Sequence, residues 1–226
     1  MVFSRIKKLI IAILLFVFAL GPVRAEVCAP FSDGKIDPKI YKALVKAANQ
    51  NKLYRFGGTA SEVGFCVDRV LGERVRGSFG EFYGGLAMPL GPDEDGQVVL
   101  LVRVGSLATG DQFIDNMARG PNFFDVGEHP DILFVSREIE WIGMTKAKLH
   151  GDLTMHGTTK SIIFDVQLTN ANENDKEHAG HIHLAATTAV SRSDFKMNSF
   201  PAMLSNQVQL CIEFEAQLVR DETGSS

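Results

Sequence analysis

From residue 53 onward, apolar and polar residues alternate with a period of two over most of the chain. The clearest case is 149–166. Leu149, Leu153 and Met155 share one parity, while His150, Asp152, Thr154 and His156 share the other. After the polar turn His156-Gly157-Thr158-Thr159-Lys160, Ile162, Phe164 and Val166 alternate with Ser161, Ile163 and Asp165. This pattern predicts a β-hairpin with one buried face. Runs of the same kind predict strands at 54–69, 73–87, 97–106, 131–141, 145–156, 160–169, 181–191 and 206–219, with turns at Gly91-Pro92-Asp93, Gly143 and Asn170-Ala171-Asn172. Strands in series at this spacing predict an all-β sandwich or barrel.

Two segments break the rhythm. Asp37-Pro38 opens a helix, because proline suits a first helical turn. Ile40, Leu44, Val45 and Ala48 then recur at helical spacing until Asn49-Gln50-Asn51. So short a stripe predicts a helix packed on the outside of the sheet. Residues 107–130 lack sustained alternation and predict a short helix and a loop crossing one end of the barrel. The chain divides into a leader at 1–25, a lead-in and helix at 26–52, a β domain at 53–219 and a polar tail at 220–226.

The leader reading rests on Arg5, Lys7 and Lys8, then the apolar run Leu9 to Leu20, then Val23-Arg24-Ala25 ending in a small residue. That is the layout of a secretory signal peptide cleaved after Ala25. The run is shorter than the roughly 20 residues a spanning helix needs, so no stable membrane anchor is expected after cleavage. Removing Arg5, Lys7, Lys8 and Arg24 leaves 19 of 23 basic residues against 27 acidic ones, a net charge of about −8. Such a balance argues against nucleic acid as a partner. In an oxidising compartment three cysteines leave one disulfide and one thiol. Strand parity turns Cys66 and Cys211 away from the core. Cys28 with Cys66 is the favoured pair and Cys66 with Cys211 the alternative, since directly paired strands rarely give good disulfide geometry.

GDLTMHGTTKSIIFDV at 151–166 closely resembles the GDLTLHGVTKPV word of the YceI-like family of exported lipid-binding proteins. Phe123-Phe124-Asp125-Val126 with His129-Pro130 and Phe134-Val135-Ser136 resembles the family's FFDV..YP...F.S stretch. Ser191-Arg192-Ser193-Asp194-Phe195 with Met197 resembles NRSDFGM, and Val208 to Ala216 the closing V.I.I..EA strand. Val63-Gly64-Phe65 with Gly77 and Phe79 is similar to the opening strands. In order, these words span roughly 54–218. The chain departs from the family pattern at Arg69, where a histidine is frequent, at Ile114 to Gly120, which replaces RD.HLRS, and at Lys196, which replaces glycine. The resemblance implies an antiparallel eight-stranded lipocalin-like barrel, exported to the bacterial periplasm. It further implies an elongated apolar cavity for a polyisoprenoid, quinone-like or fatty-acid-derived lipid.

Strand parity supplies the residues for such a cavity. They are Phe65, Val67, Val75 and Phe79 from the first strands, and Val98, Leu100, Val102 and Phe134 from the middle of the chain. Leu149, Leu153, Phe164 and Val166 come from the hairpin, and Leu184, Leu210, Ile212 and Phe214 from the last two strands. An eight-stranded barrel either fills its interior with side chains or holds one small ligand. A filled barrel acting through its outer surface is therefore the alternative. Head-group candidates are Arg192 with Asp194, where an arginine fork can hold a carbonyl, carboxylate or pyrophosphate, and Arg119 with Asp115. The competing reading of each pair is a contact that fixes loop shape.

No catalytic site is legible. There is no Gly-x-Ser-x-Gly word, Ser193-Asp194 lacks a neighbouring base, and no Cys-x-x-Cys occurs. His181 and His183 share a strand face and could start a zinc site, and His150 and His156 share another, but no third ligand stands at a diagnostic spacing. The sequence thus predicts a binding protein with no metal and no cofactor, a long-chain lipid or isoprenoid as partner, and a homodimer as one possible assembly.

Overall fold

A computed structural model describes residues 38–50, 52–88, 96–170 and 181–219. The predicted leader, the lead-in through residue 37 with Cys28, the turns at 91–93 and 171–172, and the tail lie outside these residues. Strand β1 (Leu53–Arg69) pairs with β10 (Leu204–Leu218), which closes the sheet on itself. Around the ring follow β9 (His181–Ser191), β8 (Thr158–Asn170), β7 (Lys146–Met155), β6 (Asp131–Trp141), β4 (Gln97–Arg103) and β3 (Phe82–Ala87), which returns to β1. The result is an all-β, closed, eight-stranded antiparallel barrel. No helix among the described residues is long and apolar enough to cross a membrane.

Two strand expectations change. The run at 73–87 is two strands, β2 (Val75–Phe79) and β3, broken at Gly80-Glu81. There the two backbone N–H groups turn to Ser106, Gly80 N donating to its carbonyl at 3.2 Å and Glu81 N to its hydroxyl at 2.9 Å. β2 continues along the second half of β1 while β3 holds the first half, so the wall bends at this corner. The run at 97–106 likewise ends as a strand at Arg103, passes through a short 3-10 turn and resumes as β5 (Leu107–Ala108) against β2. Alternation reports which face a residue takes. It is silent about where a strand changes partner.

Helix α1 (Pro38–Asn49) packs outside the barrel, with Leu44, Ala47 and Ala48 buried against Leu53, Ala87, Val99 and Leu101. This explains the unbroken apolar run of β4. Leu100 and Val102 face the interior while Val99 and Leu101 face the helix, so both sides of that strand are covered. A second helix, α2 (Gln112–Arg119), crosses the barrel end where β1 finishes and β10 begins. Asp111 caps it by accepting from Phe113 N at 2.8 Å and Ile114 N at 3.2 Å.

Candidate functional site

The barrel interior is not filled. Beneath α2 lies a chamber of about 680 Å³, within the range of small-molecule sites. A second void of about 90 Å³ occupies the opposite half. Leu100, Phe134, Phe164 and Ile212 line both and form a waist between them. The rings of Phe134 and Phe164 meet edge to face there at 5.3 Å. Toward the far end Phe56 stacks on Phe214 at 4.4 Å, with Phe82 at 5.3 Å from Phe214.

Phe65, Val67, Phe79, Val102, Leu153 and Leu210 stand around the large chamber. Leu149, Val166, Leu184 and Phe214 stand around the small one. The interior position of Gly151 makes the waist possible. A Cβ there would come within 2.5 Å of the Phe134 ring and 2.6 Å of the Val135 carbonyl oxygen. The first letter of the most distinctive sequence word therefore makes room for an aromatic constriction. Gly77 does the same for Phe65, whose ring lies 2.5 Å from the Cβ position.

The polar letters of that word face outward. Asp152 pairs with Arg137 at 2.5 Å and accepts from Ser161 at 3.0 Å, and the hydroxyls of Thr154 and Thr159 meet at 2.8 Å. His150 Nε2 lies 3.2 Å from Glu140. His181 Nδ1 lies 2.6 Å from Glu215. Cys66 and Cys211 are half-buried and unlinked, set diagonally because Cys66 lies opposite Gln209 and Cys211 opposite Gly64. Burial first, then the neighbouring Cys66 and Glu213, pushes the Cys211 thiol above its ordinary pKa.

Among the chamber's lining residues, Arg69, Thr109, Asp111 and Arg192 carry charge or a hydroxyl. The rest of the mouth is apolar: Leu71 is 88 % exposed and Phe113 76 %, with Val70, Phe200 and Met203 beside them. Arg192 was a head-group candidate, but its guanidinium is spent on the chain itself. It is 6 % exposed and donates to the carbonyls of Ser205 (2.9 Å), Met197 (2.9 Å), Ser199 (3.1 Å) and Leu204 (3.3 Å). Burial pulls its pKa below the ordinary guanidinium value. Asp194 is exposed on the adjoining 3-10 turn. Lys196 caps that turn at φ +63°, a left-handed position that favours glycine.

Arg119 too is turned inward on the protein, donating to the Leu107 carbonyl. Its neighbour Asp115 accepts from the hydroxyl and the N–H of Thr109, both at 2.7 Å, and so ties α2 to the strand end before it. The Thr109 hydroxyl is the main cause holding the Asp115 carboxyl below the usual carboxylate range; burial opposes, and the Thr109 N–H and Arg119 add to the lowering. A carboxylate depressed in the folded state stabilises above its unfolded pKa, and that contribution is lost as pH falls through the folded value. Thermal unfolding followed from neutrality down to roughly pH 2 should therefore show a shallower acid limb for Asp115→Asn than for the parent. Parallel curves would mean the bond to Thr109 contributes nothing.

Arg69, at the end of β1, lines the chamber without standing out as a site in the sequence, as do Thr109 and Asp111. Arg69 reaches the mouth, and its Nε donates to the Glu73 carbonyl at 2.6 Å. The structure also assembles Asp125, His129 and His156, whose potential ligand atoms all lie within 4.8 Å of one another. Strand spacing paired His156 with His150. The fold instead brings it to a loop and a turn that no local pattern connects.

The family model of the YceI-like domain matches residues 54–216. A UPF0312 protein of Pseudomonas fluorescens is 30 % identical over 166 residues, 70 % of this chain and 82 % of that protein. Among solved structures, Burkholderia cenocepacia BcnA superposes with a TM-score of 0.61 at 19 % identity, covering 70 % of this chain and 96 % of that one. A polyisoprenoid binding domain from Saccharophagus degradans, implicated in plant cell wall breakdown, gives 0.58 at 14 % identity over 73 % of this chain and 98 % of that one. At such identities the last two are likenesses of fold.

Proposed function

The chain belongs to the YceI-like domain family, and from that premise we propose that it holds one long-chain lipid, of polyisoprenoid, quinone-like or fatty-acid-derived type, in the large chamber. The observation that carries this reading is a space of about 680 Å³ lined almost wholly by apolar side chains. Burying each methylene there is worth about 0.8 kcal/mol. A chain of about a dozen carbons thus gains on the order of 10 kcal/mol before the cost of immobilising it. No polar contact along the tail is needed, and a charged head group at the mouth would meet Arg69. The name of the Saccharophagus domain favours the isoprenoid member of this class. Binding rather than catalysis is the mechanism, and the leader-like first 25 residues support action in the periplasm.

The test is direct: purify the protein, extract it with organic solvent and analyse the extract by mass spectrometry. A stoichiometric long-chain lipid is expected. An empty extract, with no thermal shift on adding prenyl lipids or quinones, would sink the reading in favour of a filled barrel that works through its surface. The waist adds a second expectation. Phe134→Ala should cost about 3–5 kcal/mol of stability, and by joining the two voids it should move the co-purified lipids toward longer chains. An unchanged chain-length distribution would mean that the ligand never reaches the waist.

A further inference from the structure

We propose that Asp125, His129 and His156 form a binding site for a divalent transition metal, zinc foremost, that pins the segment crossing the barrel end to the β7–β8 turn. The site does not depend on what fills the chamber. His156 and Gly157 form the two-residue turn between β7 and β8, with φ of +48° and +65°. Both left-handed, they match the type I′ turn that suits the twist of a hairpin. This places the His156 ring edge-on to that of His129, with centroids 4.9 Å apart. A Cβ on Gly157 would stand 2.8 Å from His129 Cε1, so the glycine is what lets the second imidazole come so close. Asp125 sits in the turn just before, its carbonyl accepting from His129 N at 2.8 Å.

The orientation of His156 is the second observation. Its Nδ1 lies 2.9 Å from the carbonyl oxygen of Phe195. A carbonyl can only accept, so Nδ1 is the donor, and in the neutral ring Nε2 offers the lone pair. Metal-bound histidines are held in this way, with the far nitrogen anchored to a carbonyl or carboxylate. Two imidazoles and one carboxylate suit zinc, or copper, nickel and cobalt, better than calcium or magnesium, which prefer all-oxygen shells. Bonds of about 2.0–2.1 Å on a tetrahedral ion put ligand atoms about 3.3 Å apart. The ligand atoms of the three half-buried side chains already lie within 4.8 Å of one another, so binding calls for a contraction of about 1.5 Å at most. Three protein ligands leave one position open to solvent.

The site joins three separate pieces of the chamber's end: the crossing segment after Phe124, the β7–β8 turn after Met155, and the 3-10 turn through Phe195. Phe124 and Met155 line the chamber, so a metal here fixes its wall from outside.

The test uses the full protein purified without a polyhistidine tag and stripped with chelator. Cobalt titration should give a tetrahedral absorption band that zinc displaces, with a Kd of about 1 µM or tighter. Zinc in large excess should raise the unfolding midpoint by roughly 5–10 °C. His129→Phe keeps a ring against His156, and Asp125→Asn keeps a side chain tolerant of the left-handed turn. Each should weaken cobalt binding at least tenfold, and the two together should abolish it, whereas His181→Ala should leave it intact. No cobalt band in the parent, or an affinity unchanged in both single variants, would reduce the cluster to polar packing.

Discussion

Arg192→Met is expected to destabilise the protein by about 3–5 kcal/mol, among the larger losses a single substitution can cause. The side chain is buried and donates to four backbone carbonyls between Met197 and Ser205. Met197 and Ser199 lie in the irregular stretch before β10, and Leu204 and Ser205 are its first two residues. Methionine fills similar volume but offers them nothing, and a buried acceptor left without a donor costs about 1–3 kcal/mol. The midpoint of thermal unfolding should fall by about 10 °C or more. Arg192→Lys should recover only part of the loss, because one ammonium cannot fork toward acceptors on two sides. Denaturant unfolding of the three proteins checks this. The opposite pattern, full stability with weakened lipid affinity, would return Arg192 to the role of head-group contact.

Leu153→Arg should lower lipid affinity at least a hundredfold and abolish co-purification of ligand. Leu153 stands in the wall of the large chamber opposite Phe134 in the β6–β7 register. An empty chamber can hydrate an introduced guanidinium. A chamber containing an alkyl chain cannot, so the charge is penalised more heavily in the complex, by several kcal/mol. His150→Ala, on the same strand but turned outward toward Glu140, should leave binding unchanged. Since a charged variant can fail to fold, Leu153→Trp provides a second arm that occupies the space without charge. Circular dichroism and native mass spectrometry on all three decide the matter. Stoichiometric lipid retained by both Leu153 variants would mean that the ligand lies elsewhere.

Much of the barrel was legible because its information is local. A period of two assigns each residue a face without knowledge of the partner strand, and Phe164 opposite Ile163 or Leu100 opposite Leu101 can be read from neighbours alone. The outer helix was legible from equally local information, a short apolar stripe at helical spacing after Pro38. What parity could not convey was where a strand ends its pairing, as at Gly80-Glu81, since that depends on Ser106, which is far along the chain. Nor could it tell how deeply each charged residue is buried. Arg192, Arg119 and Arg69 look alike in sequence and all three donate to backbone carbonyls, yet Arg192 is buried, Arg119 half-buried and Arg69 exposed.

The hairpin at 151–166 shows the division most clearly. Its sequence alone determined a two-stranded turn, the outward set of Asp152, Thr154 and Thr159, and an inward set including Leu153 and Phe164. The tertiary structure alone decided that Gly151 gives up its side-chain volume to Phe134, that the rings of Phe134 and Phe164 divide the interior, and that His156 meets His129 and Asp125. Facing direction follows from backbone geometry repeated every two residues. Constrictions and ligand clusters follow from which distant segments the closing of the barrel brings within a few ångströms, and no local period encodes that.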